Sequence, residues 1–288
     1  MEWACALLHE VISMSAPSGF QLSGSAPEAY QRYGVPALGT AKAQDLVALA
    51  ALQAGERVLD VACGTGVVTR QAAQAVGPTG QVIGLDINEG MLQVARTVAP
   101  PAGAPITWRQ ASVMALPFPD ASFDVVLCQW GLEFFPDRAH GLQEMARVLV
   151  PGGRVGLRVW RALARQPFQT AVLAALDRHL FGGQHGPSRA AMVQPFSLAD
   201  AEAVRALLTD AGFHAIRVRI GIHTLRFASA EAYTRGFLSA SSIASEIAAM
   251  DEAKRTKMIQ EIVAALHPFV DDDGLAAPAE DHAVLARK

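Results

Sequence analysis

Cysteine is scarce in this 288-residue sequence, and its spacing excludes two kinds of site. The three cysteines, Cys5, Cys63 and Cys128, are scattered along the chain. Disulfide frameworks and zinc sites both need paired spacings, so neither is expected, and no other metal site is predicted. Unpaired cysteines are typical of a reducing compartment, and we therefore expect a cytoplasmic location.

Clustered charge is also missing. The 24 Lys and Arg residues nearly balance the 27 Asp and Glu residues, which leaves a net charge of −3. No Lys/Arg block occurs anywhere along the chain. Such a chain has no general attraction for a phosphate backbone, so nucleic acid is not an expected partner. The partner expected instead is a small molecule, and the oligomeric state is left open.

Long hydrophobic runs are the third absence. No run approaches the roughly 18 apolar residues needed to cross a bilayer, so no membrane span is expected. The opening segment "MEWACALLHEVISMS" is interrupted by His9 and Glu10 and has no basic start, which disfavours a signal peptide. Hydrophobic residues nonetheless make up 51% of the chain, enough for one sizeable core. These features predict a soluble globular protein.

Strand-like and helix-like segments alternate through the first half of the chain. The strands are nearly all apolar, and helical segments separate most of them; they read "RVLDVA", "QVIGLDI", "ITWRQAS", "SFDVVLCQW" and "RVGLRVW". Alternation of this kind predicts an α/β fold, in which a parallel sheet is covered by helices on both faces. Two later segments, "HAIRVRIGIHTLRF" and "APAEDHAVLARK", are read as further strands, which makes seven.

Composition divides the chain into three parts. Residues 1–40 form an N-terminal lead-in and cap that is rich in Ser, Gly and Pro from residue 16, 41–160 form the sheet core, and 161–288 carry acceptor-side helices, a helical lid and the closing strands. We expect Gly55 to end the helix that begins at Ala41, and Ser197 to cap a later helix. Tyr30 and Tyr33 are expected to close over the cleft if the lead-in folds across it.

The stretch "RVLDVACGTGVVTRQ" predicts a small-molecule cradle. A strand that runs into a Gly-rich turn and then a helix brings backbone N–H groups close to a ligand. Ala62, Gly64 and Gly66 lack bulky side chains, so a ligand can lie against the main chain. A purely structural role for the turn is the alternative.

Asp86 ends the next strand, at the same edge of the predicted sheet. A carboxylate there can accept hydrogen bonds from both hydroxyls of a ribose. The alternative role is to cap the following helix, and the two roles are compatible. A nucleoside ligand is therefore predicted.

The choice of nucleoside depends on Asp60 and on the glycine pattern. A dinucleotide-binding turn prefers the pattern G-x-G-x-x-G, but in this chain Ala62 replaces the first glycine of that pattern. Asp60 would repel a pyrophosphate, whereas it suits a ligand that carries positive charge. S-adenosylmethionine carries one positive charge on sulfur and another on its amino group, which favours this cofactor over NAD.

Four motifs in order resemble the class I S-adenosylmethionine-dependent methyltransferases, over residues 40 to 160. They are "VLDVACGTGVVT", "VIGLDINEGML", "ALPFPDASFDVVLCQWGLEFFPD" and "EMARVLVPGGRV". They are most similar to the branch that contains the ubiquinone/menaquinone-biosynthesis C-methyltransferases. The resemblance implies a Rossmann-like doubly wound, mostly parallel seven-stranded sheet with a helical lid inserted near the C-terminus. It also implies S-adenosylmethionine as cofactor and S-adenosylhomocysteine as product.

The resemblance also implies positions for the cofactor. The methionine end would lie along Asp60 to Gly66, with Asp60 acting on the amino group through water or backbone. The ribose would lie on Asp86, and the adenine would pack on Ile87 and Met91. The implied cofactor-binding residues are Asp60, Ala62, Cys63, Gly64, Gly66, Asp86, Ile87, Met91, Ser112, Val113 and Gln129.

One position departs from the family pattern. Relatives usually carry Gly-Asp-Ala before "LPF", and the Asp accepts from the adenine amino group, but this chain has Ala111, Ser112 and Val113. Ser112 is shorter and uncharged, so a weaker or water-bridged contact is expected. Gly131 and Leu132 would shape the floor of the site, beside Gln129.

No catalytic residue is assigned, because methyl transfer from a sulfonium chiefly needs alignment of the acceptor with the methyl group. Glu133 is a candidate that we interpret as a solvated rim acid. His179 and His185 are candidates for proton transfer in the predicted lid, and we interpret both as ordinary surface histidines. His140, His223, His282 and the acidic run 271–273 are interpreted as structural or solvated. An apolar acceptor pocket or simple core packing would explain the aromatic residues Trp130, Phe134, Phe135, Phe168 and Phe196.

The sequence therefore predicts a methyltransferase that acts on a small, largely apolar acceptor such as a phenol, quinol or natural product, by O- or C-methylation. Two alternatives stay open at this point. One is an NAD(P)-linked oxidoreductase that uses the same cradle. The other is a non-catalytic S-adenosylmethionine-binding protein.

Overall fold

The computed structural model describes residues 22–182 and 186–288. Cys5, the opening segment and most of the 1–40 lead-in, together with the lid candidate His185, lie outside these residues. Among the helices in the described part of the chain, none has the length and apolar character needed to cross a membrane.

A single sheet organises the described chain. Its strands are β1 (Arg57–Val61), β2 (Gln81–Asp86), β3 (Ile106–Gln110), β4 (Phe123–Gln129), β5 (Leu149–Trp160), β6 (His214–Phe227), β7 (Val270–Asp271) and β8 (Gly274–Arg287). The order across the sheet is β3-β2-β1-β4-β5-β8-β6, and β7 pairs with β8. Strands β1 to β5 pair in parallel, whereas β8 runs antiparallel to both β5 and β6.

The predicted doubly wound, mostly parallel sheet is confirmed. It has eight strands where the sequence indicated seven, because the two-residue β7 forms a hairpin with β8. The order reverses between β1 and β4, and open α/β sheets bind ligands at such a reversal. This topology places a candidate site at the carboxyl ends of β1, β2 and β4.

Helices lie along the chain as the alternation predicted. They are α1 (Ala26–Ala29), α2 (Thr40–Ala50), α3 (Val67–Val76), α4 (Glu89–Thr97), α5 (Arg138–Val148), α6 (Pro167–Leu176), α7 (Pro187–Val193), α8 (Ala201–Asp210), α9 (Ala230–Ser239), α10 (Ala244–Ala248) and α11 (Glu252–Leu266). A π-helical segment, Tyr30–Gly39, joins α1 to α2. Helices α9 to α11 lie between β6 and β7, which confirms a helical insertion near the C-terminus.

Two predicted helix boundaries are wrong. Helix α2 ends at Ala50 and is followed by Ala51, which takes the left-handed conformation at φ +50°, so Gly55 lies beyond the helix in the turn. Helix α8 is capped by Asp200, whose side chain accepts from the Glu202 N–H, and not by Ser197. Ser197 instead accepts a hydrogen bond from the Arg138 guanidinium at 2.6 Å.

The buried residues form separate clusters on the two faces of the sheet and under the lid. One face packs against α5 and α8, through residues such as Leu142 and Leu208. The other face packs against α2 and α3, through Leu46 and Ala72. A third cluster joins α6, α9 and α11 to the far ends of β6 and β8. The lid region thus has apolar packing of its own, while the division at residues 40 and 160 stays a prediction.

Candidate functional site

One cavity of about 760 Å³ opens at the carboxyl edge of the parallel strands. The last residues of four neighbouring strands, Val61, Asp86, Gln129 and Trp160, all line it. The strand-end half of the cavity is lined by Asp60, Asp86, Met91, Ser112 and Gln129. The aromatic half is lined by Trp130, Trp160, Phe168, Phe196, Phe227, Tyr233 and Phe237.

The side chain of Asp86 fixes the loop that follows β1. One oxygen of that carboxylate accepts from the Gly64 N–H at 2.7 Å, and the other accepts from the Asn88 N–H at 2.8 Å. Ala62 and Gly64 both have φ +55°, a conformation that bends the chain sharply after the strand. Asp86 is buried, and burial raises the pKa of its carboxyl, while the backbone N–H donors lower it. Each oxygen keeps a second lone pair for a ligand.

The alternative role for Asp86, as a helix cap, is wrong. Helix α4 is capped by Asn88, whose side-chain oxygen accepts from the Met91 N–H at 3.3 Å. The amide nitrogen of Asn88 donates to the Leu22 carbonyl at 2.8 Å and thereby ties the lead-in to the cavity. Asp86 is therefore available for a second function.

Asp60 supplies a buried acid to the cavity wall. Its Oδ2 accepts from the Thr69 hydroxyl at 2.6 Å, whereas Oδ1 has no hydrogen-bond partner among the described residues. Burial raises the pKa of Asp60 to about 7, and the neighbouring Asp86 adds to the rise while the Thr69 hydrogen bonds oppose it. An acid of this kind favours a cationic ligand, which would compensate the buried charge.

Gln129 presents a second unpartnered acceptor to the same half. Its amide nitrogen donates to the Gly39 carbonyl at 3.5 Å, which leaves Oε1 buried without a partner in the described chain. Buried polar atoms are normally hydrogen-bonded, so two such oxygens in one cavity indicate the position of a ligand with several donors. An ammonium group has three N–H donors.

Most of the predicted cofactor residues line the cavity. Besides those above they are Ala62, Cys63, Gly64, Ile87, Met91, Ser112 and Val113. The Ser112 hydroxyl accepts from the Met114 N–H at 3.1 Å and keeps its own proton for a further contact. Gly131 lines the cavity, but Leu132 lies in the core beneath it.

Gly66 does not line the cavity. It has φ +84°, and a Cβ atom there would lie 2.2 Å from the Trp108 ring. The glycine is therefore required by the packing of Trp108 and not by approach to a ligand. The sequence pattern could not separate these two reasons, because Trp108 lies 42 residues away.

The lead-in covers the cavity. Tyr30, Tyr33, Pro36 and Leu38 of the π-helical segment line it. Burial raises the pKa of Tyr30 to about 12, and the nearby charges of Asp86 and Asp60 add to the rise. The expectation that Tyr30 and Tyr33 face the cleft is therefore met.

All five aromatic residues that the sequence singled out line the cavity, and Trp130, Phe168 and Phe196 lie in its aromatic half. That half also contains four aromatic residues that were missed, namely Trp160, Phe227, Tyr233 and Phe237. The Trp130 and Trp160 rings stack with centroids 4.5 Å apart and planes 10° apart. Tyr233 and Phe237 stand four residues apart on α9, a spacing that places both on one helix face and was the available signal.

Several candidate residues lie elsewhere. Glu133 is not a rim acid, because its side chain is fully buried and accepts from the Trp160 N–H. His179 contacts Glu261 at 2.9 Å, His223 contacts Asp281 at 3.1 Å, and neither lines the cavity. His140 and His282 contact backbone carbonyls, and Asp271 pairs with Arg226. No group of three His, Cys, Asp or Glu side chains among the described residues is placed to hold a metal ion.

Comparison with known proteins finds sequence matches for the sheet core. The methyltransferase domain family matches residues 58–153. The ubiquinone/menaquinone biosynthesis C-methyltransferase UbiE of Saccharophagus degradans is 41% identical over 114 residues, which cover 39% of this chain and 46% of that protein. The match thus spans less than half the length of this curated relative.

Solved structures share the fold over more of the chain. A proposed methyltransferase from Bacillus halodurans aligns with a TM-score of 0.55 at 22% identity, covering 86% of this chain and 99% of that one. Phosphoethanolamine N-methyltransferase 2 of Haemonchus contortus, in complex with phosphomonomethylethanolamine and S-adenosylhomocysteine, aligns with a TM-score of 0.54 at 18% identity, covering 91% of this chain and 56% of that one.

The family match and the curated relative bear on the alternatives for the core. Both are methyltransferases, which favours a methyltransferase over the NAD(P)-linked oxidoreductase. Residues 58–153 match the methyltransferase domain family, and this part of the chain is similar in sequence to the ubiquinone/menaquinone biosynthesis C-methyltransferases.

Proposed function

We propose that this protein transfers a methyl group from S-adenosylmethionine to a small, planar aromatic acceptor of the quinol or phenol class. The observation that carries the proposal is the single cavity of about 760 Å³ that joins two strand-end acids to an aromatic chamber. A volume of this size lies within the range of ligand pockets, roughly 300–1,000 Å³. The cytoplasmic location expected from the cysteine usage remains a prediction.

The strand-end half fits the cofactor. Asp60 Oδ1 and Gln129 Oε1 are unpartnered acceptors, and they would hold the amino group of the methionine portion. Asp86 would accept from the ribose hydroxyls with the lone pairs that Gly64 and Asn88 leave free. Ile87, Met91, Ser112 and Val113 would surround the adenine, as the family resemblance implies.

The aromatic half fits a flat acceptor. Its walls are rings, and the Trp130–Trp160 stack lies where the two halves meet, since Trp130 follows Gln129 directly. Aromatic pairs favour offset or stacked contact with another ring. The Tyr233 side chain is buried among Phe227, Phe237 and Phe168, and it lies beside Gln169, which also lines the cavity. We propose that Tyr233 and Gln169 bind an oxygen of the acceptor.

Alignment is the main contribution that this chain makes to the reaction. The bound cofactor supplies an electrophilic methyl group on a sulfonium. The protein holds the acceptor in line with that methyl group, and such positioning can remove about 7–11 kcal/mol of a barrier. The cap formed by Tyr30–Gly39 would exclude water from the reacting atoms.

A transfer assay tests the proposal. The protein is incubated with S-adenosylmethionine and 1,4-dihydroxynaphthalene, or a panel of other quinols and phenols, under anaerobic conditions, and products are read by mass spectrometry. The expected product is the acceptor plus one methyl group, with stoichiometric S-adenosylhomocysteine. Cofactor binding without transfer over the whole panel would favour the non-catalytic alternative.

A further inference from the structure

Glu133 is a buried acid that the proposed reaction does not use. It lies in the 3₁₀ turn Leu132–Phe134 just after β4, and none of its side chain is exposed. Its Oε1 accepts from the Trp160 N–H at 2.7 Å, and its Oε2 has no partner among the described residues. It does not line the cavity.

The residues tied together by Glu133 do line the cavity. Trp160 is the last residue of β5, and its ring stacks on Trp130. Trp130 has φ +57°, a conformation that a large side chain rarely adopts, so its position needs support from its surroundings. Its N–H donates to the Arg158 carbonyl at 2.8 Å, which anchors the loop at one point on β5. The Glu133 side chain provides a second anchor two residues further along β5.

The backbone of Glu133 is fixed as well. Its carbonyl accepts from the Arg138 guanidinium at 3.0 Å and from the Gln194 amide at 3.3 Å. The loop that carries Gln129 and Trp130 is therefore bound to α5, to the turn before Ser197 and to β5. Of these contacts, only the hydrogen bond from the Trp160 N–H depends on the Glu133 side chain.

We propose that Glu133 is a positioning residue, whose side-chain oxygen sets the stacked Trp130–Trp160 pair and thereby the junction between the cofactor and the acceptor. The contact requires a side chain of sufficient length and an acceptor oxygen, and it does not require a negative charge. In agreement, burial raises the pKa of Glu133 to about 8, so that the neutral acid prevails near neutral pH. The part of this inference that concerns the acceptor rests on the function proposed above.

Two matched variants separate the effect of side-chain length at Glu133 from the effect of its charge. Glu133→Gln keeps the length and a carbonyl oxygen but cannot ionise. Glu133→Asp keeps the acid but is shorter by one methylene, about 1.5 Å, and leaves the Trp160 N–H without an acceptor. Stacked indoles give a coupled circular-dichroism signal, and Trp160→Phe calibrates that signal by removing it.

We expect Glu133→Gln to keep the coupled tryptophan signal and the affinity for 1,4-dihydroxynaphthalene, measured by tryptophan quenching. We expect Glu133→Asp to lose the signal and to weaken that affinity about tenfold, with S-adenosylhomocysteine affinity within about twofold of the unaltered protein. The opposite order, or a full signal in both variants, would overturn the proposal. The signal is read without an acceptor, so failure to bind 1,4-dihydroxynaphthalene with the signal pattern as expected would count against the acceptor class and not against Glu133.

Discussion

At the residue scale, two acids at neighbouring strand ends of the cavity differ in their hydrogen-bond partners. Asp86 accepts from two backbone N–H groups, whereas Asp60 has one oxygen without a partner in the described chain. Asp86 therefore shapes the loop as well as offering lone pairs to a ribose. Asp60 has an electrostatic role that depends on its ionisation.

The first prediction concerns Asp86. Asp86→Ala removes the acceptor for two ribose hydroxyls and should weaken S-adenosylhomocysteine binding by roughly 1–3 kcal/mol, measured by calorimetry. Asp272→Ala is the matched control, because Asp272 is an exposed acid in the turn before β8. Equal affinity in the two variants would mean that Asp86 does not contact the ribose.

The second prediction concerns the pH dependence of cofactor binding. The pKa of Asp60 is raised to about 7, so the carboxyl is mostly neutral below that pH and ionised above it. An ammonium group binds the ionised form better, so S-adenosylhomocysteine affinity should rise as pH increases from 6 to 8. Asp60→Asn should bind more weakly and lose this dependence. A wild-type affinity that is flat across this range would contradict the role of Asp60.

The third prediction concerns the proposed oxygen contact in the aromatic half. Tyr233→Phe keeps the ring packing against Phe227 and Phe237 but removes the hydroxyl. It should raise the KM for 1,4-dihydroxynaphthalene by about fivefold to tenfold, the loss of one hydrogen bond, with S-adenosylhomocysteine affinity unchanged. An unchanged KM would place the acceptor oxygen elsewhere.

At the element scale, two glycines in the loop between β1 and α3 are required for different reasons. Gly64 lines the cavity, while Gly66 packs against Trp108. Both occur in one motif that the sequence associates with ligand binding. The distinction needed the register of β2 with β3, which sets Trp108 beside Gly84.

The fourth prediction follows from that packing. Gly66→Ala should lower the free energy of unfolding by more than Gly212→Ala, both measured by urea denaturation. The two glycines have similar conformations, at φ +84° and φ +89°, but a Cβ at Gly212 meets nothing within 4 Å. The left-handed conformation costs roughly 1–2 kcal/mol in both, and the clash with Trp108 adds about 1–3 kcal/mol at Gly66. Equal losses would show that Trp108 moves aside without cost.

Local sequence predicted the elements better than their boundaries. The apolar strands and their order along the chain were readable because each strand is bounded by turn residues. The end of α2 before the left-handed Ala51 was not readable, since alanine is not a usual residue for that conformation. The burial of Glu133 was also hidden, because it depends on Trp160, 27 residues away.

At the scale of the whole molecule, the cavity is assembled from distant parts of the chain. The strand-end half comes from residues 60–129 and was predicted, because the motifs that form it are local. The aromatic half draws on the lead-in, on α6 and on α9, which meet only in the folded chain. The sequence therefore indicated the cofactor more sharply than the acceptor.

The fifth prediction concerns stability of the whole molecule against pH. Burial raises the pKa of Glu133 to about 8, so the folded chain retains a proton there that the unfolded chain has lost above about pH 4.5. The folded state then binds more protons, and the free energy of unfolding must fall as pH rises. Asp60 contributes in the same direction up to about pH 7.

From about pH 6.5 to 8 the groups with opposing effects drop out, and Asp86, whose pKa burial also raises, acts in the same direction as Glu133 and Asp60. The pKa of His282 is lowered by burial, so its opposing effect ends near pH 6.5, and acids with lowered pKa values, such as Asp124, act only below about pH 4. Stability should fall by about 1–2 kcal/mol across the window in urea denaturation, at 1.4 kcal/mol for each pKa unit. Glu133→Gln should remove most of this decrease. A decrease of the same size in that variant would assign it to another group.

We propose that an adenosyl ligand lies across the ends of β1 and β2, in the same cavity as the acceptor. A crystal structure of the protein grown with S-adenosylhomocysteine tests it most directly. We expect the ribose hydroxyls on Asp86, the amino group beside Asp60 and Gln129, and the sulfur directed toward the Trp130–Trp160 stack. Density for the ligand outside this cavity, or with its ribose away from Asp86, would contradict it.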